Sequence, residues 1–209
     1  MRLAIKRYLF VSLLLLAQIN SAQSMADARR VDFKNYSYPW PRSSGWPGQM
    51  KWLDTSVHKH VRLVNGSWRI DSHDNYPAFS GLTFEAVQYA DVTGDGQPEA
   101  IVVLRFDTGG TQYSHYVYIY SSDQNPKLLA YFHSGDRSSF GLYRVYGQSG
   151  KLVVELFDPK KSSGDCCSSR YIRTRYRWRE GKFEAFGPEQ FGVPGAPSRL
   201  PVTVFGIHK

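Results

Sequence analysis

The sequence predicts an all-β domain: an antiparallel meander, built as a sandwich or an open barrel-like sheet, with little helix. Three observations predict it. Apolar and polar residues alternate with period two over most of the chain after Val57. The alternating stretches are short and are bounded by Gly-, Asn- and Pro-containing turns. No segment carries a long apolar stripe at helical spacing. Roughly eight or more closely spaced strands of this kind belong to a layered β fold. The chain has no internal repeat, which speaks against a multi-bladed propeller.

Residues 1–22 read as a secretory signal peptide rather than part of the fold. Arg2, Lys6 and Arg7 give a positive start, and Tyr8 to Ala17 is an apolar run. Ile19 to Ala26 is polar and rich in small residues. The apolar core is about ten residues, where a spanning helix needs roughly 20. Cleavage after Ala22 or after Ser24 fits the small residues there. The segment carries three cations and no acid, so its removal lowers the formal net charge from +8 to +5. The expected destination is the periplasm or the exterior, with no transmembrane segment in the mature chain. The remaining chain is long enough for one domain with a substantial core.

Residues 23–50 read as an irregular arm. Pro39, Pro41 and Pro47 break regular structure, while Tyr36, Tyr38, Trp40 and Trp46 are apolar enough to pack over the domain. Residues 51–209 read as a single β domain. His58 to Val64 and Ser67 to Ile70, joined by Asn65-Gly66, predict a hairpin, because Asn-Gly suits a turn with positive φ at both central positions. Leu82 to Ala90 follows. Ala100 to Leu104 is a continuous apolar run, as expected of a central strand buried on both faces. Tyr113 to Tyr120 alternates, with Tyr116, Tyr118 and Tyr120 on one face and Val117 and Ile119 on the other. Lys127 to His133, Phe140 to Tyr146 and Leu152 to Phe157 are further strands, the last two separated by a turn over Gly147 to Gly150. Residues 159–169 predict a loop. Tyr171 to Trp178 and Lys182 to Phe186 predict a second hairpin about Glu180-Gly181, in which Trp178 faces Phe183 and Arg177 faces Glu184. Residues 187–199 predict another loop, and Pro201 to Ile207 a last edge strand.

One segment carries recognisable chemistry, Asp91-Val92-Thr93-Gly94-Asp95-Gly96-Gln97-Pro98-Glu99. Asp91, Thr93, Asp95, Gln97 and Glu99 occupy alternate positions of a glycine-containing loop. Calcium takes six to eight oxygen ligands, and such a loop presents oxygens at alternate positions. Asp91, Asp95 and Glu99 would supply carboxylates, Thr93 a hydroxyl and Gln97 its backbone carbonyl. Three carboxylates in so short a segment repel one another, and a divalent cation removes that cost. Asx side chains also cap turns of this kind without metal.

The segment resembles the calcium loop of the FG-GAP or VCBS repeats of integrin α-type propellers. As in those β-loop-β units, an apolar strand stands on each side (EAVQYA before, AIVVL after). The resemblance implies one calcium ion in a structural role, with those five residues as ligands. Thr93 departs from the usual Asp or Asn, and Glu99 from the usual Asp. Both keep an oxygen, but Thr93 brings no charge, which implies weak affinity. An EF-hand is excluded, because Val102 stands where its bidentate Glu would be. More loosely, the chain is similar to exported bacterial proteins that carry a lone loop of this kind, a likeness that implies no activity.

Arg173, Arg175, Arg177 and Arg179 alternate with Ile172, Thr174, Tyr176 and Trp178, so a strand places the arginines on one face. Such a stripe suits anionic polymers; it is equally a solvated face neutralised by nearby acids. Cys166 and Cys167 are adjacent, which leaves a strained vicinal disulfide, two free thiols, or links to another chain. His58 and His60 share a strand face, a weak metal signal. No Gly-x-Ser-x-Gly elbow and no Cys-x-x-Cys spacing occurs. The expected function is therefore a secreted non-catalytic domain, stabilised by calcium and used for binding or scaffolding. An enzyme acting on envelope polymers and an anionic-glycan binder using the arginine stripe are the alternatives.

Overall fold

The computed structural model describes residues 28–40, 50–53, 55, 59–69, 80–107, 109–110, 113–123, 125–163 and 167–195. The proposed signal peptide, Cys166, His58, His73, His208 and the strand expected at 201–207 lie outside the described residues.

Two antiparallel sheets carry the chain, and neither closes into a barrel. The first contains β2 (Lys51–Trp52), β4 (Ser67–Arg69), β5 (Gly81–Ala90), β6 (Glu99–Asp107), β7 (Tyr113–Tyr120) and β8 (Leu128–His133), in the order β2-β8-β7-β6-β5-β4. From β4 to β8 it is a meander. The second contains β9 (Leu142–Gly147), β10 (Leu152–Phe157), β13 (Tyr171–Arg179) and β14 (Lys182–Ala185), in the order β14-β13-β10-β9, with β15 (Gln190–Gly192) also on β13. Among the described residues there are also two small pairs, β1 (Ser37–Pro39) with β3 (His60–Arg62) and β11 (Ser162–Ser163) with β12 (Cys167–Ser168). Three single-turn 3₁₀ helices lie at Ala28–Arg30, Phe33–Asn35 and Pro159–Lys161.

The alternation in β6 and β7 explains the layering. Ala100, Val102 and Leu104 face one way with Tyr116, Tyr118 and Tyr120, and meet Tyr38, Trp40, Val61 and Leu63 from the arm and β3. Ile101, Val103, Val117 and Ile119 face the other way and meet Val145, Leu152, Val154 and Phe183 of the second sheet. The first sheet is thus the middle of three layers. The continuous apolar run of β6 is buried on both faces, as its composition predicts.

The arm is more regular than its prolines suggest. β1 pairs Tyr38 with Val61, and the Tyr118 hydroxyl donates to the Pro39 carbonyl at 3.0 Å. This corrects the hairpin expected across Asn65-Gly66. The turn forms, with φ of 51° and 79°, but only a single bridge, Val64 to Ser67, joins its two sides. β3 turns to β1 and β4 to β5, because Val61 and Leu63 bury against the arm while Trp68 lies across from Leu82. The loop expected at 187–199 likewise contains a strand, β15.

The Glu180-Gly181 hairpin has the expected register: Trp178 opposes Phe183 and Arg177 opposes Glu184. Glu180 and Gly181, and also Ser149 and Gly150 between β9 and β10, have positive φ, the geometry that matches strand twist.

A buried polar pair at the start of β7 escaped the sequence reading. Ser114 Oγ lies 2.6 Å from His133 Nε2, and the imidazole stacks on Tyr116 at 4.2 Å. Burial lowers the His133 pKa from 6.5 to about 3, with His115 pushing the same way. The unfolded chain therefore takes up a proton near 6.5 that the folded chain refuses until about 3. The stability that depends on neutral His133 is complete above 6.5 and is lost as pH falls through that window. Urea midpoints of the wild type should drop between pH about 7 and about 4, and a His133→Gln variant should show a flatter drop. Parallel profiles would assign the acid sensitivity to other groups.

Candidate metal loop and arginine face

The acidic segment connects β5 to β6. Ala90 and Glu99 pair across its base, so the strands themselves bring the two ends together. Val92 is fully buried in the core between the sheets and anchors the loop there. Gly94 and Gly96 have φ of 83° and 85°, which only glycine adopts without cost, and they let the chain wind back on itself. As a result Asp91, Asp95 and Glu99 each offer a carboxylate oxygen within 4.8 Å of the others.

Backbone N–H groups hold these carboxylates. Asp91 accepts from Gly94 at 2.6 Å and from Gly96 at 3.1 Å. Asp95 accepts from Gln97 at 2.8 Å. Glu99, only 2% exposed, accepts from Val92 at 2.9 Å and Thr93 at 3.2 Å through the same Oε2. No Lys or Arg pairs with any of the three among the described residues. Burial pushes the Glu99 carboxyl above the usual carboxylate range, and Asp95 and Asp91 push it the same way against the two N–H donors. Thr93 Oγ1 is buried without a hydrogen-bond partner. Gln97 lies in the same turn and donates its backbone N–H to Asp95. The donor set is all oxygen with three acids, which suits a hard divalent cation.

The loop also touches the second sheet. A Cβ placed on Gly147 would fall 2.4 Å from Ala90 Cβ and 3.0 Å from Val92 Cγ1. One placed on Gly150 would fall 3.2 Å from Gly94 Cα. The turn between β9 and β10 therefore packs directly on the acidic loop, and the order of that loop bears on the contact between sheets.

No family model, curated protein or solved structure matches this chain.

The four arginines of β13 are engaged within the protein. Arg173 donates from Nε to Glu155 Oε1 at 2.7 Å, its Nη2 lies 2.7 Å from the same oxygen, and Nη2 donates to the Tyr171 hydroxyl at 3.1 Å. Arg175 donates to Gln190 Oε1 at 3.0 Å. Arg177 lies 3.9 Å from Glu184, and Arg179 lies 3.6 Å from Glu180. Glu155 is fully buried and also accepts from the Tyr146 hydroxyl at 3.1 Å. Burial and that carboxylate push the Tyr146 pKa up to about 12, so the phenol stays protonated and donates. Arg144, on the far side of Glu155, places Nε 4.0 Å from Glu155 Oε2, and both of these atoms are buried without a hydrogen bond. The sequence reading missed Glu155, although an acid inside the apolar run of β10 opposite an arginine strand is a readable signal.

Cys167 pairs through its backbone with Ser163, and its neighbour Cys166 lies outside the described residues. His60 is exposed on β3, and the His58 partner proposed for it also lies outside. Among the described residues, no helix is long and apolar enough to cross a membrane.

Proposed function

We propose that this chain is an exported, non-catalytic binding or scaffolding domain held by one structural calcium ion. The observation that carries the reading is the convergence of Asp91, Asp95 and Glu99 within 4.8 Å, with no cationic side chain as partner among the described residues. A buried, charge-crowded carboxylate such as Glu99 raises the free energy of the empty loop, and calcium would offset that cost. Thr93 Oγ1 and the Gln97 carbonyl complete an oxygen set of the kind the FG-GAP-like sequence implies. Export rests on the signal-peptide pattern of residues 1–22. The arginine stripe is the weaker basis for binding, because each guanidinium already faces an internal acceptor.

Thermal melts test this reading. A ligand at tenfold its Kd that binds only the folded state adds about 1.4 kcal/mol of stability. Calcium should therefore raise the midpoint relative to chelator. In Glu99→Gln, which removes charge and keeps an acceptor for the Val92 and Thr93 N–H groups, the rise should vanish without loss of metal-free stability. Equal midpoints of the wild type in millimolar calcium and in chelator would sink the proposal.

A further inference from the structure

An open groove of about 310 Å³ lies between the short helix at Pro159–Lys161 and β15, lined by Lys161, Ser169, Arg170, Phe191, Gly192 and Val193. Its centre is a fixed guanidinium. Asp158, 1% exposed, takes the Arg170 Nε donor at 2.7 Å and also pairs with Nη2. Asp158 is itself held by the Lys160 backbone N–H at 3.0 Å. Phe191 closes one face of the guanidinium at 4.3 Å. Arg170 is thus oriented before any ligand arrives, with its Nη1 edge lacking an acceptor among the described residues. The Lys161 ammonium adds a second cation that makes no ion pair among the described residues, and Ser169 adds a hydroxyl.

The apolar half of the groove is unusual for this surface. Phe191 and Val193 are 55% and 65% exposed, two of the most exposed large apolar side chains among the described residues. Both lie beside the two cations. At Gly192 β15 packs directly on β13: a Cβ there would fall 2.2 Å from the Tyr171 ring. Two neighbouring exposed apolar side chains thus stand beside two cations, and the side of the Arg170 guanidinium that Asp158 leaves open can donate to an anion.

We infer that this groove binds an acidic saccharide. Its carboxylate, sulfate or phosphate would lie against Arg170 and Lys161. A ring hydroxyl would meet Ser169, and the C–H face of the ring would pack on Phe191 and Val193. The inference names a ligand for the binding role proposed above and does not rest on the metal.

The test is an NMR and calorimetric titration of the calcium-loaded protein with four probes: an oligogalacturonide, a heparin oligosaccharide, neutral dextran and poly-glutamate. Both acidic saccharides, or one of them, should bind and shift the Ser169, Gly192 and Val193 amides; which one binds identifies carboxylate or sulfate as the preferred group. Dextran should not bind. Lys161→Glu and Phe191→Ala change exposed side chains and should leave the fold intact, with affinity reduced about tenfold or more in each. Failure of both acidic saccharides to bind, poly-glutamate binding as tightly as they do, or affinity unchanged in both variants would overturn the inference. A chain that loses this binding but keeps its calcium response would leave the metal proposal standing.

Discussion

Replacing Glu155 with Gln should destabilise the protein by about 3–5 kcal/mol, the usual cost of breaking a buried ion pair from one side. Glu155 is fully buried. Arg173 donates to it from Nε and pairs with it through Nη2, and Arg144, itself 6% exposed, flanks it at 4.0 Å. Removing the single anion leaves two guanidiniums beside one another, that of Arg144 with little water to solvate it. The Tyr146 hydroxyl also loses its charged acceptor. Glu184 is the control. Its pair with Arg177 spans 3.9 Å with side chains 43% and 33% exposed, so Glu184→Gln should change stability by less than about 1 kcal/mol. Urea unfolding of both variants checks the contrast. Similar losses would mean that burial of Glu155 does not govern the second sheet.

Trp40→Ala should cost about 3–5 kcal/mol, the range for deleting a large buried aromatic. Trp40 is 2% exposed and packs on Trp68, Phe106 and Tyr116 with ring centroids 5.6, 5.3 and 5.0 Å away. Its backbone N–H donates to the Lys59 carbonyl at 2.8 Å. The arm residues Phe33, Tyr36, Tyr38 and Trp40 thus pack, together with Val61 and Leu63, on one face of the first sheet. Denaturant titration reads the effect. A loss below about 1 kcal/mol would reduce the arm to a loose strap on a core that is complete without it.

The sequence revealed those elements whose signals are local and agree with one another. In the β13–β14 hairpin, the Glu180-Gly181 turn, the Trp178–Phe183 pair and the Arg177–Glu184 pair all require the same register, and that register forms. The two-faced burial of β6 was likewise written in an uninterrupted apolar run. The Asn65-Gly66 turn was also legible, but the partners of its flanking strands were not. Tyr38 pairs with Val61 across a stretch of chain that carries no periodic signal. β15 was hidden for a different reason: it is three residues long, lies among prolines and exposes Phe191, so it lacks the alternation of a buried strand.

The candidate site divides the same way. Asp91, Asp95 and Glu99 were readable because a loop at alternating positions imposes its own convergence, and the three carboxylates do converge. The Ser114–His133 pair and the Arg170–Asp158–Phe191 cluster were not readable, because they depend on how β7 pairs with β8 and β15 with β13. The arginine stripe was readable as a stripe, whereas the internal acceptors that engage it depend on the pairing of β10 with β13.

Calcium titration by calorimetry, comparing the wild type with Asp91→Asn and Asp95→Asn, tests the central claim most directly. Extracellular loops of this kind bind calcium with Kd of roughly 10⁻⁴–10⁻³ M. The wild type should bind one ion per chain in that range, and each variant should bind at least about tenfold more weakly. A wild-type chain that takes up no calcium at about 10 mM, well above that range, would show that the backbone N–H groups alone satisfy the three carboxylates, and would contradict the account.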